Sequence, residues 1–162
     1  SGTIALEWQG DGATVVLGSG ELADWPPNQQ TQFTSNFLDS SSSTSYFYIP
    51  FNSTSESTSS QYYNHLACAQ PGTVKKIMMM HTSGTASTSF TTQLRVVKNG
   101  ITAATSGELT PSNGANDGSY VEYLPSTTFV KGDRIRIGYQ KSATSKYWQG
   151  VSAIVIFEFT PV

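Results

Sequence analysis

The run Phe129-Val130-Lys131-Gly132-Asp133-Arg134-Ile135-Arg136-Ile137, followed by the apolar stretch Val151 to Phe159, constrains this chain more than any other feature. Lys131-Gly132-Asp133 has turn chemistry, because Gly accepts positive φ and an Asp carboxylate bonds nearby backbone. Beyond it Ile135, Ile137 and Tyr139 alternate with Arg134, Arg136 and Gly138, the period of two that marks a strand with one buried face. A flexible polar loop then leads into an apolar closing strand. Two such strands need sheet partners elsewhere in the chain.

Candidate partners recur along the sequence. No stretch keeps helical periodicity beyond one or two turns. Strand-like runs at 4–8, 13–17, 46–51, 62–69, 73–81, 90–98, 120–124, 134–139 and 151–159 are separated by Gly, Ser, Asn and Pro clusters. This punctuation predicts an antiparallel all-β sandwich or barrel. Asn99-Gly100 between apolar runs predicts a hairpin. Gly18 to Gln32 reads as irregular, and Phe33 to Leu38 is ambiguous.

Charged residues are 12% of the chain, against about 25% in an average soluble protein. Hydroxyls fill the gap, with 23 Ser and 20 Thr. The net charge of −2 and the scattered Lys and Arg give no basic stripe, so nucleic acid is not expected as a partner. Cys68 is the one cysteine, which excludes an intrachain disulfide. No apolar run is long enough to cross a bilayer and none resembles a signal-peptide core, so membrane insertion is not expected.

Two strands carry apolar residues on both faces. The first holds Val74, Ile77, Met78, Met79 and Met80, and the second sets Ile154 and Ile156 opposite Val151, Ala153, Val155 and Phe157. A sandwich strand normally wets one face, so the second face needs a cover. Either a loop such as the 18–45 segment folds over it, or another subunit does. Met78, Met80, Ile154 and Ile156 are therefore the candidates for a subunit interface.

Catalytic chemistry is poorly supplied. His65 and His81 lie in predicted strands, no Gly-x-Ser-x-Gly elbow is present, and a three-residue spacing turns His65 and Cys68 to opposite faces of a strand. Asp11, Asp24, Asp39, Asp117 and Asp133 read as loop or cap residues. Asn113 to Gly118 lacks the acid density of a calcium loop. No zinc spacing, P-loop or dinucleotide fingerprint occurs, so no cofactor or metal is expected. Trp8, Trp25, Tyr62, Tyr63, Tyr147 and Trp148 lie near loops. Lys146, Tyr147 and Trp148, in the loop before the last strand, are the candidates for contact with a protein or glycan. The alternative is that Trp148 folds inward and caps the core.

The segment Gly72 to Phe159 resembles a tumour necrosis factor-like or complement globular-head jelly roll. The matching features are the aromatic-x-Lys-Gly-Asp-Arg-aliphatic-x-aliphatic run and Gly150 before the last strand. Gly72-Thr73-Val74-Lys75-Lys76-Ile77, with the later Lys98-Asn99-Gly100, resembles phage virion proteins of this fold, among them tail-fibre heads and capsid decoration proteins. The last strand, Ala153-Ile154-Val155-Ile156-Phe157, departs from the animal families and favours this viral branch. The resemblance implies an antiparallel jelly-roll β-sandwich over 46–162, with 1–45 as N-terminal strands and an irregular arm. It further implies a non-enzymatic homotrimer located in the virion, partnered by other virion proteins or a host-surface receptor or glycan. Two rivals are a carbohydrate-binding module, which needs aromatics and amides in one cleft, and a polysaccharide-active enzyme, which needs paired carboxylates or a Ser-His pair.

Overall fold

A computed structural model describes residues 5–7, 14–16, 29–39, 43–51, 53, 55–56, 58, 64–83, 90–112, 118–142, 148 and 150–160. Twelve strands are defined among them: β1 (Ala5–Glu7), β2 (Thr14–Val16), β3 (Gln29–Leu38), β4 (Phe47–Tyr48), β5 (Leu66–Ala67), β6 (Gly72–Ser83), β7 (Thr92–Lys98), β8 (Ile101–Thr105), β9 (Tyr120–Tyr123), β10 (Thr127–Phe129), β11 (Arg134–Lys141) and β12 (Gly150–Phe159). β1 and β2 pair with each other. The rest form two five-stranded sheets whose strand pairings are all antiparallel, the arrangement of a β-sandwich. One sheet runs β9-β6-β12-β3 with β10 also on β6, and the other runs β4-β11-β7-β8 with β5 also on β11.

The pairing is nested. β7 and β8 form the innermost hairpin, β6 pairs with β9 and β10, β4 and β5 pair with β11, and β3 pairs with β12. The rolled hairpin then closes on itself through β12 against β6 and β11 against β7.

Alternation decides what fills the space between the sheets. Val151, Ala153, Val155 and Phe157 of β12 face Ile135, Ile137 and Tyr139 of β11 and Leu94 and Val96 of β7 within one core, each at most 1% exposed. Full burial of a large apolar side chain contributes about 1.5–3 kcal/mol relative to leaving it in water. On β6 the inward residues are Val74, Ile77 and Met79, so the period breaks at Lys75-Lys76. A register shift against Ile156/Phe157 sits there, inserting one extra residue and restoring the inward phase.

The turns act as the sequence predicts. Asn99 (φ 51°) and Gly100 (φ 88°) close the β7–β8 hairpin, and Gly132 (φ 90°) turns the chain into β11. These two turns are clamped together. Asn99 Nδ2 donates to Asp133 Oδ1 at 2.6 Å, Val130 N donates to Asp133 Oδ2 at 2.9 Å, and Arg134 N donates to Asn99 Oδ1 at 2.9 Å. Cys68 joins the same corner, its N–H donating to Asp133 O and its carbonyl accepting from Gly132 N.

The structure departs from the sequence reading in three places. β3 begins at Gln29, inside the stretch read as irregular, and runs as a full sheet strand along β12. Among the described residues of the 62–69 run, strand structure is confined to Leu66–Ala67. β8 and β10 were not marked by alternation: β8 is mostly exposed and exists because the Asn99-Gly100 turn folds it onto β7, and β10 is three residues long.

The Asp133 clamp carries a pH signature. Its hydrogen bonds from Val130 N and Asn99 favour the carboxylate, outweigh desolvation, and hold its pKa below the ordinary 3.8. A lowered pKa in the folded state contributes stability above the unfolded value, lost as pH falls through the folded one. Wild type is therefore expected to unfold at higher denaturant than Asp133→Asn near neutrality, with the gap shrinking as pH drops below 3.8. Urea midpoints of the two proteins across that range check this, and a gap that does not change with pH would refute it.

Candidate functional site

Three places combine unusual side chains with position. The first is the outer face of the β9-β6-β12-β3 sheet. Ile154 stands directly opposite Met78, Ser152 opposite Met80, and Ile156 opposite Lys76. Tyr120 stands opposite Met80 and is 43% exposed. Met78, Met80, Ile154 and Ile156 are thus half-buried neighbours in one apolar strip across two central strands. Ion pairs flank it, Lys76–Glu122 at 2.5 Å and Lys75–Glu158 at 3.6 Å. On the other side lie Gln32, Thr34 and Asn36 of the edge strand β3, all exposed. The structure brings the four sequence candidates together on this face.

The second place is the outer face of the other sheet. Gln93 and Gln140 are cross-strand partners and, with Thr44, Thr91, Glu108 and Ser142, line an open cleft of about 270 Å³. Gln140 Nε2 donates to Thr44 O at 2.7 Å, and Tyr46 Oη donates to Gln93 Oε1 at 3.1 Å. One row along, Gly138 lies between Tyr48 and Arg95. A Cβ there would come within 3.0 Å of Arg95 Cγ and Nε, so the glycine lets this side chain lie flat across the sheet. The Arg95 guanidinium sits 3.7 Å above the Tyr46 ring and donates to Tyr48 Oη. Arg136 packs on Tyr48 at 4.3 Å, is 7% exposed, and pairs with no carboxylate among the described residues. Alternation places Arg136 on a solvated face, but the aromatic stack covers it.

The third place is the end of the sandwich. Trp148, read as a contact candidate, is 0% exposed. Its indole stacks on His81 at 4.5 Å, meets Phe90 edge-on at 5.4 Å, and donates from Nε1 to Thr92 Oγ1 at 3.0 Å. Its N–H donates to Asp39 Oδ2 at 2.7 Å. This ring therefore has no face to offer a partner, and the capping alternative describes it. Lys146 and Tyr147 lie outside the described residues, as do Trp8, Trp25, Tyr62, Tyr63 and Asn113 to Asp117. Asp39, read as a loop or cap residue, is 2% exposed and ion-paired to Lys141, whose side chain is also buried. Sequence reasoning missed this pair because its members lie 102 residues apart.

Two further ionisable groups among the described residues, Cys68 and His81, lie in the interior. Burial, followed by the negative charge of Asp133, pushes the Cys68 thiol up to about 11, the behaviour of a structural cysteine. His81 is fully buried against Trp148 and Phe90. Among the described residues no group of three or more His, Cys, Asp or Glu is placed to hold a metal ion. No protein-family model and no curated protein matches this chain, so its function is argued from geometry and from the sequence resemblance.

The environment of Trp148 sets its expected effect. Trp148→Ala removes the stack on His81 and the cap of the core, with a loss of about 3–5 kcal/mol. Equilibrium urea unfolding measures it, and an unchanged midpoint would mean that the ring does not cap the core in solution.

Proposed function

We propose that this chain is a non-enzymatic virion protein, a jelly roll that works as a homotrimer in a phage tail-fibre head or a capsid decoration layer. The apolar strip Met78, Met80, Ile154 and Ile156 carries the reading. A contiguous, partly exposed apolar strip at the centre of a sheet face, rimmed by polar and charged groups, is the kind of surface that interaction sites use. The nested strand pairing supports the jelly-roll part, since a long hairpin rolled into two sheets is how such folds dispose of most edges. A second copy of the chain is the occupant that fits best. The strip is flanked by charges already paired within the chain, so a like surface can approach without stranding a charge. The sequence resemblance implies threefold assembly near the last strand, where the strip lies. A stable obligate interface of this kind buries on the order of 2,000 Å² or more.

Saccharide recognition is a second reading, favoured by the Gln93–Gln140 cleft beside Tyr46. It fits a host-recognition role in a tail fibre and also a free-standing binding module. A glycan array on which wild type binds and Gln93→Ala does not would support it.

Light scattering at micromolar concentration is expected to give a mass about three times the 17.5 kDa chain. A Met78→Glu/Ile154→Glu variant should keep its β-sheet circular dichroism and run as a monomer, because it places like charges on the strip. Wild type running as a monomer at that concentration would overturn the trimer, and so would a double variant that stays trimeric.

A further inference from the structure

The buried Lys141–Asp39 pair joins the two sheets. Asp39 directly follows β3 of one sheet, and Lys141 ends β11 of the other. Lys141 Nζ lies 2.9 Å from Asp39 Oδ1 and 2.7 Å from Oδ2, and neither side chain has exposed surface. Apolar and aromatic groups wall the pair. The Phe47 ring lies 5.8 Å from Nζ, Trp148 donates its N–H to Oδ2, and Tyr139 packs between Phe37 and Phe47.

A second carboxylate is brought to the same place by the backbone. Leu38 and Ser55 form a parallel bridge. Asp39 and Glu56 are the next residues of the two segments, so the bridge brings their backbones close together. The Tyr139 phenol reports both acids: burial first, then the charges of Asp39 and Glu56, push its pKa well up. A fully enclosed amine thus contacts one carboxylate, and the backbone carrying a second passes close to that carboxylate's own.

We propose that Lys141 and Asp39 condense into an intramolecular isopeptide bond, with Glu56 carrying the proton. Passing one proton from Nζ to the Asp39 carboxylate turns the contact pair into an amine and a carboxylic acid held at hydrogen-bond distance. The Nζ lone pair forms a bond to Asp39 Cγ. Glu56 takes a proton from Nζ and returns it to the departing hydroxyl, which leaves as water. Amine plus carboxylic acid becomes amide plus water, with no oxidant, metal or co-reactant. Two features favour the step. The strand ends hold the reacting atoms in contact, replacing a bimolecular encounter. The product also removes two charges whose burial is costly.

Mass spectrometry of the intact 162-residue chain tests the proposal without any variant. The purified protein, unfolded in denaturant, is expected to weigh one water less than its sequence. Proteolysis should release a branched peptide joining the Asp39 and Lys141 segments. Lys141→Arg and Asp39→Ala should show the full sequence mass. Glu56→Gln leaves both reacting groups in place and should keep the full mass, or lose water far more slowly, while circular dichroism shows it folded. A wild-type mass equal to the sequence mass after prolonged native incubation overturns the bond, as does a water loss that survives in Lys141→Arg. Unchanged bond formation in Glu56→Gln overturns the role given to Glu56.

Discussion

The rest of the sandwich depends on β12, held between β3 and β6 along its whole length. This strand pairs the start of the rolled hairpin with its end, so it forms only when the chain has closed. Its inward face supplies Val151, Ala153, Val155 and Phe157 to the core, and its outward face supplies Ile154 and Ile156 to the apolar strip. Folding and, in the proposed trimer, assembly would therefore draw on alternate residues of one strand. A substitution that slips its register by one residue would exchange the two faces and damage both.

The two outer faces differ in how they meet water. On the β9-β6-β12-β3 side the charges sit at the margin in pairs and leave an apolar centre. On the β4-β11-β7-β8 side the guanidinium groups of two arginines lie over tyrosine rings, and Arg136 is buried by this packing. In a chain with 12% charged residues, such placement is conspicuous. One face would suit the matching protein surface of the proposed trimer. The other, with its amide-lined cleft, is suited to a polar ligand.

Local chemistry made much of this legible in the sequence. The strand β11 could be read because its alternation is strict, and the turns at Asn99-Gly100 and Gly132 because positive φ selects those residues. The strip was visible as an excess of apolar residues on two strands. Other features were hidden because they depend on partners distant in the chain. β3 has a polar outward row, so its strand identity comes from pairing with β12 and not from its own pattern. The Lys75-Lys76 bulge appears only against the register of the neighbouring strand. Trp148 in a hydroxyl-rich loop looks like a surface ring until His81, Phe90 and Thr92 are placed around it. The Asp39–Lys141 pair needs two distant segments to converge, and no spacing within either of them announces it.

That node also shows why a buried charge pair belongs at this end of the fold. As an ion pair it is a weak source of net stability, because desolvation cancels most of the attraction, yet removing one partner strands the other at a cost of about 3–5 kcal/mol. Its structural effect is to pin the β3 and β11 ends while Asp39 also holds the Trp148 backbone. A covalent tie would act differently. Closing a loop of about 100 residues removes unfolded-state freedom worth about 4–5 kcal/mol in the chain-entropy treatment of cross-links. With Cys68 as its single cysteine, the chain cannot obtain such a tie from an internal disulfide. A lysine and an aspartate enclosed where the two sheets meet are placed to supply it, and the tie would span the closure between the first and last sheet strands on which the fold depends.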